Sequence, residues 1–169
     1  MNEADIHGRG GTRTDLAEQQ LGITVPYVLL YVGGVLTAGQ GGPMHLISHA
    51  EQPAEDWRDG VRTVMLVSAT EGSHQLCIFE QYCQPGLGAP MHVHAVEEVL
   101  EVIDGRAEIT LGEESRIVEA KHSVLIPAGH RHGFRNVGDG VLHMRATLAA
   151  SIFEASYDDR AELSRRYVP

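Results

Sequence analysis

The sequence predicts an all-β domain of sandwich or barrel type, and three observations predict it. From about residue 44 onward, short apolar or alternating runs recur at a spacing of roughly 8–12 residues. Turn-forming residues separate the runs, and 19 glycines and seven prolines supply them. Asp104-Gly105, set between two alternating runs, is a hairpin signal, because both residues tolerate the positive φ that a tight turn demands.

The first 43 residues differ in character and are expected to be an N-terminal extension. Residues 1–13 are polar and glycine-rich, a composition that predicts disorder. Residues 14–21 predict two helical turns, with Thr14 as N-cap and Gly22 as stop. Residues 23–36 are the nearest candidate for a membrane span. They contain Pro26, Gly33 and Gly34 and fall short of the ~18 apolar residues such a helix needs. Asp15 and Glu18 stand where a signal peptide requires basic residues, so no leader is expected. Residues 39–43 (GQGGP) form a break. The extension is either one the domain does without or, through residues 27–32, a strand lent to a neighbouring subunit's sheet.

Strands are predicted over residues 61–69, 75–83, 97–103, 107–111, 116–118, 123–126, 133–137 and 142–148. Breaks fall at 71–72, 85–90, 104–105, 112–114, 127–129 and 138–140. Residues 158–167 predict a short helix capped by Asp158. The chain therefore reads as an extension (1–43), a β domain (44–155) and a helical tail (156–169). Alternation assigns the faces, since successive strand side chains point to opposite sides. Glu98, Leu100 and Val102 share the more apolar face of their run and are expected inward. Phe134 and Asn136 follow His132 inward. Leu142, Met144, Ala146 and Leu148 leave Arg145 on the outer face. Leu100, Val102, Phe134 and Met144 are thus the expected lining of an apolar pocket.

Ten histidines are many for 169 residues and point toward metal chemistry. His92 and His94 form a His-x-His pair on an extended segment, which puts both imidazoles on one side about 7 Å apart at the backbone. Glu98 shares their parity, and His132 comes inward from a later strand. Glu97, the rival carboxylate, has the wrong parity. Three imidazoles and one carboxylate suit a single borderline divalent ion with open positions: Fe, Mn, Zn, Ni or Co, with iron favoured. His130 is an alternative ligand or, like Asn136, a residue supporting the ligands from behind. His74, His122 and His143 read as structural or exposed.

These residues carry a family resemblance. Residues 86–105 read GLGAPMHVHAVEEVLEVIDG and resemble the first motif of the cupins, G-x5-H-x-H-x3-E-x6-G, at Gly86, His92, His94, Glu98 and Gly105. Residues 127–136 read PAGHRHGFRN and resemble the second motif at Pro127, Gly129, His132 and Asn136. The second motif normally opens with glycine six residues before the proline, where this chain has Lys121. The resemblance spans about residues 61–150. It implies a jelly-roll β-barrel with one metal per chain held near the barrel mouth by His92, His94, Glu98 and His132.

The open site implies a metal-dependent enzyme acting on a small organic molecule, first of all a dioxygenase-type oxidoreductase. With manganese or zinc, the same site suits an isomerase, cyclase or lyase. The reading from a different class is a ligand-binding or sensing domain without turnover. The sequence lacks a nucleophile elbow, a phosphate-binding P-loop and an HExxH helix. A formal net charge of −10, from 13 basic and 23 acidic residues, argues against nucleic-acid and anionic-membrane partners. Cys77 and Cys83 lie six apart on one strand, roughly 20 Å, beyond disulfide reach. They are expected to be free buried thiols, and the protein cytoplasmic. Open sheet edges, and the habit of cupins this size, make a homodimer the expected assembly.

Overall fold

The computed structural model describes residues 44–161 and 163–169. The expectations for residues 1–43 lie outside these described residues.

Twelve strands follow one another: β1 (Ala54–Arg58), β2 (Val61–Val67), β3 (Cys77–Cys83), β4 (Gly88–Val93), β5 (Glu98–Asp104), β6 (Arg106–Leu111), β7 (Glu114–Glu119), β8 (His122–Ile126), β9 (His132–Asn136), β10 (Leu142–Leu148), β11 (Phe153–Tyr157) and β12 (Ser164–Arg166). They form two antiparallel six-stranded sheets, ordered β1-β2-β3-β10-β5-β8 and β12-β11-β4-β9-β6-β7. Consecutive strands that fall in different sheets, such as β4 and β5 or β9 and β10, give the jelly-roll connectivity. Among the described residues, no helix is long and apolar enough to cross a membrane.

The core follows the alternation. Cys77, Phe79, Gln81 and Cys83 of β3 point inward, as do Leu142, Met144, Ala146 and Leu148 of β10 and Leu100 and Val102 of β5. Ala107, Ile109 and Phe134 face them from the second sheet. Burying each of the larger of these side chains contributes roughly 1.5–3 kcal/mol. Arg145 lies on the outer face, where it pairs with Glu80 and Glu101. Both cysteines are free and buried, and burial pushes each thiol up to about 12, so neither is a nucleophile near neutral pH.

Three elements differ from the sequence reading. β1 went unread because its sequence, AEDWR, is polar apart from Trp57 and sits at a sheet edge. β4 replaces part of an expected break. Pro90 lies inside it, and the β4–β9 register shifts between Ala89 and His92, which accommodates a residue with no amide proton to donate. The expected tail helix is absent. Ser164–Arg166 forms β12 and pairs with β11 through Phe153↔Arg166, Glu154↔Arg165 and Ala155↔Ser164. Asp158, the expected cap, instead pairs with Arg131. Tertiary contacts override the helical preference: Phe153, Ala155 and Tyr157 alternate into the core, and Arg166 lies 4.8 Å over the Trp57 ring.

Lys121 keeps the turn that glycine makes in the second cupin motif. Its φ is +68°, in the left-handed region, and its amide donates to the Val102 carbonyl at 2.9 Å. A side chain in that conformation costs roughly 1–2 kcal/mol, so Lys121→Gly is expected to raise stability by about 0.5–1 kcal/mol once the roughly 0.5–1 kcal/mol of extra chain entropy of glycine is subtracted.

Asn136 clamps the backbone around the end of β9. Its buried amide donates to the Cys83 and Gly140 carbonyls at 2.9 and 2.8 Å, and its Oδ1 accepts from Gly138 N–H at 2.9 Å. Asn136→Ala leaves buried carbonyls unpaired and should cost about 2–3 kcal/mol in urea unfolding, with metal content per folded chain unchanged.

Candidate metal centre

His92, His94, Glu98 and His132 come together, all buried, with their ligand atoms within 4.8 Å of one another. Each arrives by a different route. His92 lies on β4 and His94 just past its end. Glu98 opens β5, and His132 opens β9, directly opposite His92 in the β4–β9 ladder. Glu97 is exposed.

Every imidazole is anchored by its Nδ1 to a backbone carbonyl. His92 Nδ1 is 2.7 Å from Pro90 O, His94 Nδ1 2.5 Å from Glu154 O, and His132 Nδ1 2.8 Å from His130 O. A carbonyl only accepts, so each Nδ1 carries the proton; His92 and His94, neutral, present bare Nε2 lone pairs, and His132 presents an Nε2 whose proton, shared with Glu98 in the metal-free protein, a metal ion would displace. These nitrogens converge. His92 Nε2 and His94 Nε2 lie 3.1 Å apart, and Glu98 Oε2 and Oε1 lie 2.7 Å from His132 Nε2 and 3.7 Å from His94 Nε2. Two buried lone pairs facing each other at 3.1 Å repel unless a cation stands between them. The donor set therefore fits one borderline divalent ion and leaves coordination positions for a small molecule.

Burial, with His132 and His94 adding to it, pushes His92 down to about 4. Burial also lowers His94, against the opposing pull of Glu98. Burial alone would lower His132, but its hydrogen bond to Glu98 outweighs that and leaves it raised. Burial alone would raise Glu98, but the His132 bond and the neighbouring imidazoles hold it below the usual carboxylate value.

A cavity of about 10 Å³, room for a single water or ion, adjoins the cluster. Trp57, Phe79, Phe153 and Tyr157 wall it together with Leu100 and Phe134. Trp57 and Phe153 rings stand 4.6 Å apart, and Phe153 meets the His94 ring edge-on at 5.4 Å. Of the expected pocket residues, Leu100 and Phe134 line this cavity, whereas Val102 and Met144 are packed into the core beyond it. His130 is exposed, and it takes part through its carbonyl, not its ring. The aromatic wall from β1 and β11 escaped the sequence reading because both strands did. The alternation of Phe153, Ala155 and Tyr157 was the available signal.

The family described as the Cupin domain matches residues 79–149. A polyketide synthase protein, CurC of Streptomyces cyaneus, is 38% identical over 78 residues, covering 46% of this chain and 48% of that protein. The match thus spans about half the length of the curated relative. The polyketide cyclase RemF from Streptomyces resistomycificus shares the fold, with a TM-score of 0.57 at 18% identity over 75% of this chain and 87% of that one. An oxalate oxidase in complex with the substrate analogue glycolate also shares it, with a TM-score of 0.60 at 18% identity over 72% and 67%. Residues 79–149 thus carry a cupin-superfamily domain.

The His92 shift gives the metal-free protein one contribution to stability that acid removes. His92 stays neutral when folded down to about pH 4, but takes a proton near 6.5 when unfolded. The unfolded state therefore binds more protons between these values. The stabilisation is full above about pH 6.5 and falls as pH drops toward 4, by at most about 3 kcal/mol from this residue. Urea unfolding at a series of pH values should show this slope, and His92→Gln should flatten it.

Proposed function

We propose that this cupin holds one divalent transition metal per chain through His92, His94, Glu98 and His132, and acts on a small enolisable carbonyl compound in a cyclisation reaction. The observation that carries the reading is the convergence of three imidazole Nε2 atoms and a carboxylate beside an aromatic-walled cavity. The similarity to CurC, and the shared fold with a polyketide cyclase, support cyclisation as the reaction class. When bound, the metal supplies Lewis-acid polarisation of a carbonyl oxygen, which favours the enol needed for carbon–carbon bond formation.

The chain's own residues do the rest. The three carbonyl-anchored imidazoles are held in one tautomer and one orientation, so the ligand set is preorganised. Glu98 contributes its charge to the ligand set. Trp57, Phe134 and Phe153 exclude water and offer flat faces to a planar carbonyl chain. The Tyr157 hydroxyl accepts from Arg58 at 3.1 Å, which leaves its own proton available to donate into the cavity. A substrate larger than a water molecule needs the mouth of the cavity to open.

A dioxygenase-type oxidation is the second reading. The largely apolar wall and the fold shared with an oxalate oxidase favour it. The test is elemental analysis of anaerobically purified protein, followed by turnover of poly-β-ketone substrates with and without O2. We expect about one metal per chain, lost in the His92→Ala/His94→Ala double variant. Product should be short of one water and form without O2. Oxygen-dependent product would move the assignment to the oxygenase. Absence of bound metal after reconstitution would overturn both and leave a ligand-binding domain.

A further inference from the structure

Resting on the reading of the site as a metal-dependent catalyst of carbonyl chemistry, we infer that its substrate is an anion, a carbonyl compound bearing a carboxylate, and that Arg58 holds that carboxylate. Arg58 ends β1 and lines the cavity that His92 and Glu98 also line. It is half-buried, and its guanidinium donates only to neutral acceptors: Gly88 O at 3.2 Å and the Tyr157 hydroxyl at 3.1 Å.

That is anomalous in this chain. Acidic residues outnumber basic ones 23 to 13. Among the described residues, every arginine except Arg58 and the exposed Arg62 has a carboxylate partner. Asp159, on the turn after β11, pairs with Arg160 instead. A guanidinium carries five donors in a planar fork that matches a carboxylate. Arg58 spends two of them on weaker, uncharged partners, one of them a phenol that a substrate carboxylate can displace.

Position supports the same conclusion. Arg58, Ala89 and Phe134 are shared between the inner cavity and an open groove of about 430 Å³ that runs past Met91, Thr110 and Arg135. A ligand entering from the groove meets Arg58 before it reaches His92. The Tyr157 ring lies 5.4 Å from the Arg58 guanidinium and 5.1 Å from the His92 ring, so it spans the distance between the cation and the metal ligands. A molecule with a chelating diketone at one end and a carboxylate at the other has a partner for each end. Gln81, whose amide nitrogen donates to Thr63 Oγ1 at 3.0 Å, also lines the cavity and offers it a polar group between the two.

The probe pair is 4,6-dioxoheptanoate, a β-diketone with a carboxylate, and its uncharged methyl ester. Both are titrated into nickel-loaded protein, and the fluorescence of Trp57, the chain's single tryptophan and a cavity residue, reports binding. The acid should bind the wild type about tenfold tighter than the ester, the order expected of a charge-assisted hydrogen-bonded pair. Arg58→Gln should bring the acid-to-ester ratio close to one, and Arg58→Lys should keep part of it. Thermal unfolding checks that each variant folds, and if Arg58→Gln does not, the fall of the ratio in Arg58→Lys decides the matter. Equal binding of acid and ester by the wild type, or a ratio that survives in Arg58→Gln, overturns the role of Arg58 and leaves the metal site standing. Failure of both probes to bind overturns the diketone reading of the site, and the inference with it.

Discussion

Three backbone carbonyls, at Pro90, His130 and Glu154, govern what this protein can do, because each takes the Nδ1 proton of one buried imidazole. With those protons committed, three Nε2 atoms and the Glu98 carboxylate are left facing one another without enough protons to satisfy them. Such an arrangement is costly in a dry interior unless a cation joins it. The fold supplies the carbonyls from separate places. Two come from residues two positions before the histidine they orient. The third comes from β11, sixty residues away in sequence, and is set in place because β11 pairs with β4 through Ser156↔Val93 and Tyr157↔His92. The C-terminal hairpin is therefore part of the site's support.

The same hairpin closes the cavity. Phe153 meets Trp57 and Phe79 across the interior and Tyr157 walls the same cavity, leaving a space of about 10 Å³ beside the ligand set. The lining is apolar apart from Arg58, Gln81, the Tyr157 hydroxyl and the ligands themselves. Bulk water is kept out, which strengthens any electrostatic interaction formed inside. Arg58 fastens this end through Gly88 and Tyr157, both neutral partners, so an incoming anion competes on favourable terms with the contacts that hold it shut.

Most of the barrel was legible because its strands are half-buried and alternate cleanly. β3, β5 and β10 each place every second residue inward, and the parity that selects Glu98 over Glu97 is the parity the structure displays. What escaped was whatever alternation does not mark. β1 has one large apolar residue, β4 contains a proline at a register shift, and β11–β12 carries charged residues that read as a helix until tertiary pairing takes them. The site was legible in the same measure. Its four ligand-type residues are visible in spacing, whereas its carbonyl anchors and aromatic wall come from contacts distant in sequence. His130 shows the difference: the residue was noticed for its imidazole, and it acts through its carbonyl.

The site depends on which nitrogen carries each proton, and long-range 1H–15N correlation NMR of the histidine side chains, before and after adding zinc, reads this out. In the zinc-loaded protein His92, His94 and His132 should all keep their Nδ1 protons. Their Nε2 resonances should shift together at one equivalent of metal. Nδ1 shifts, independent titration of the three rings, or Nε2 resonances that do not respond to zinc would contradict this assignment of protons.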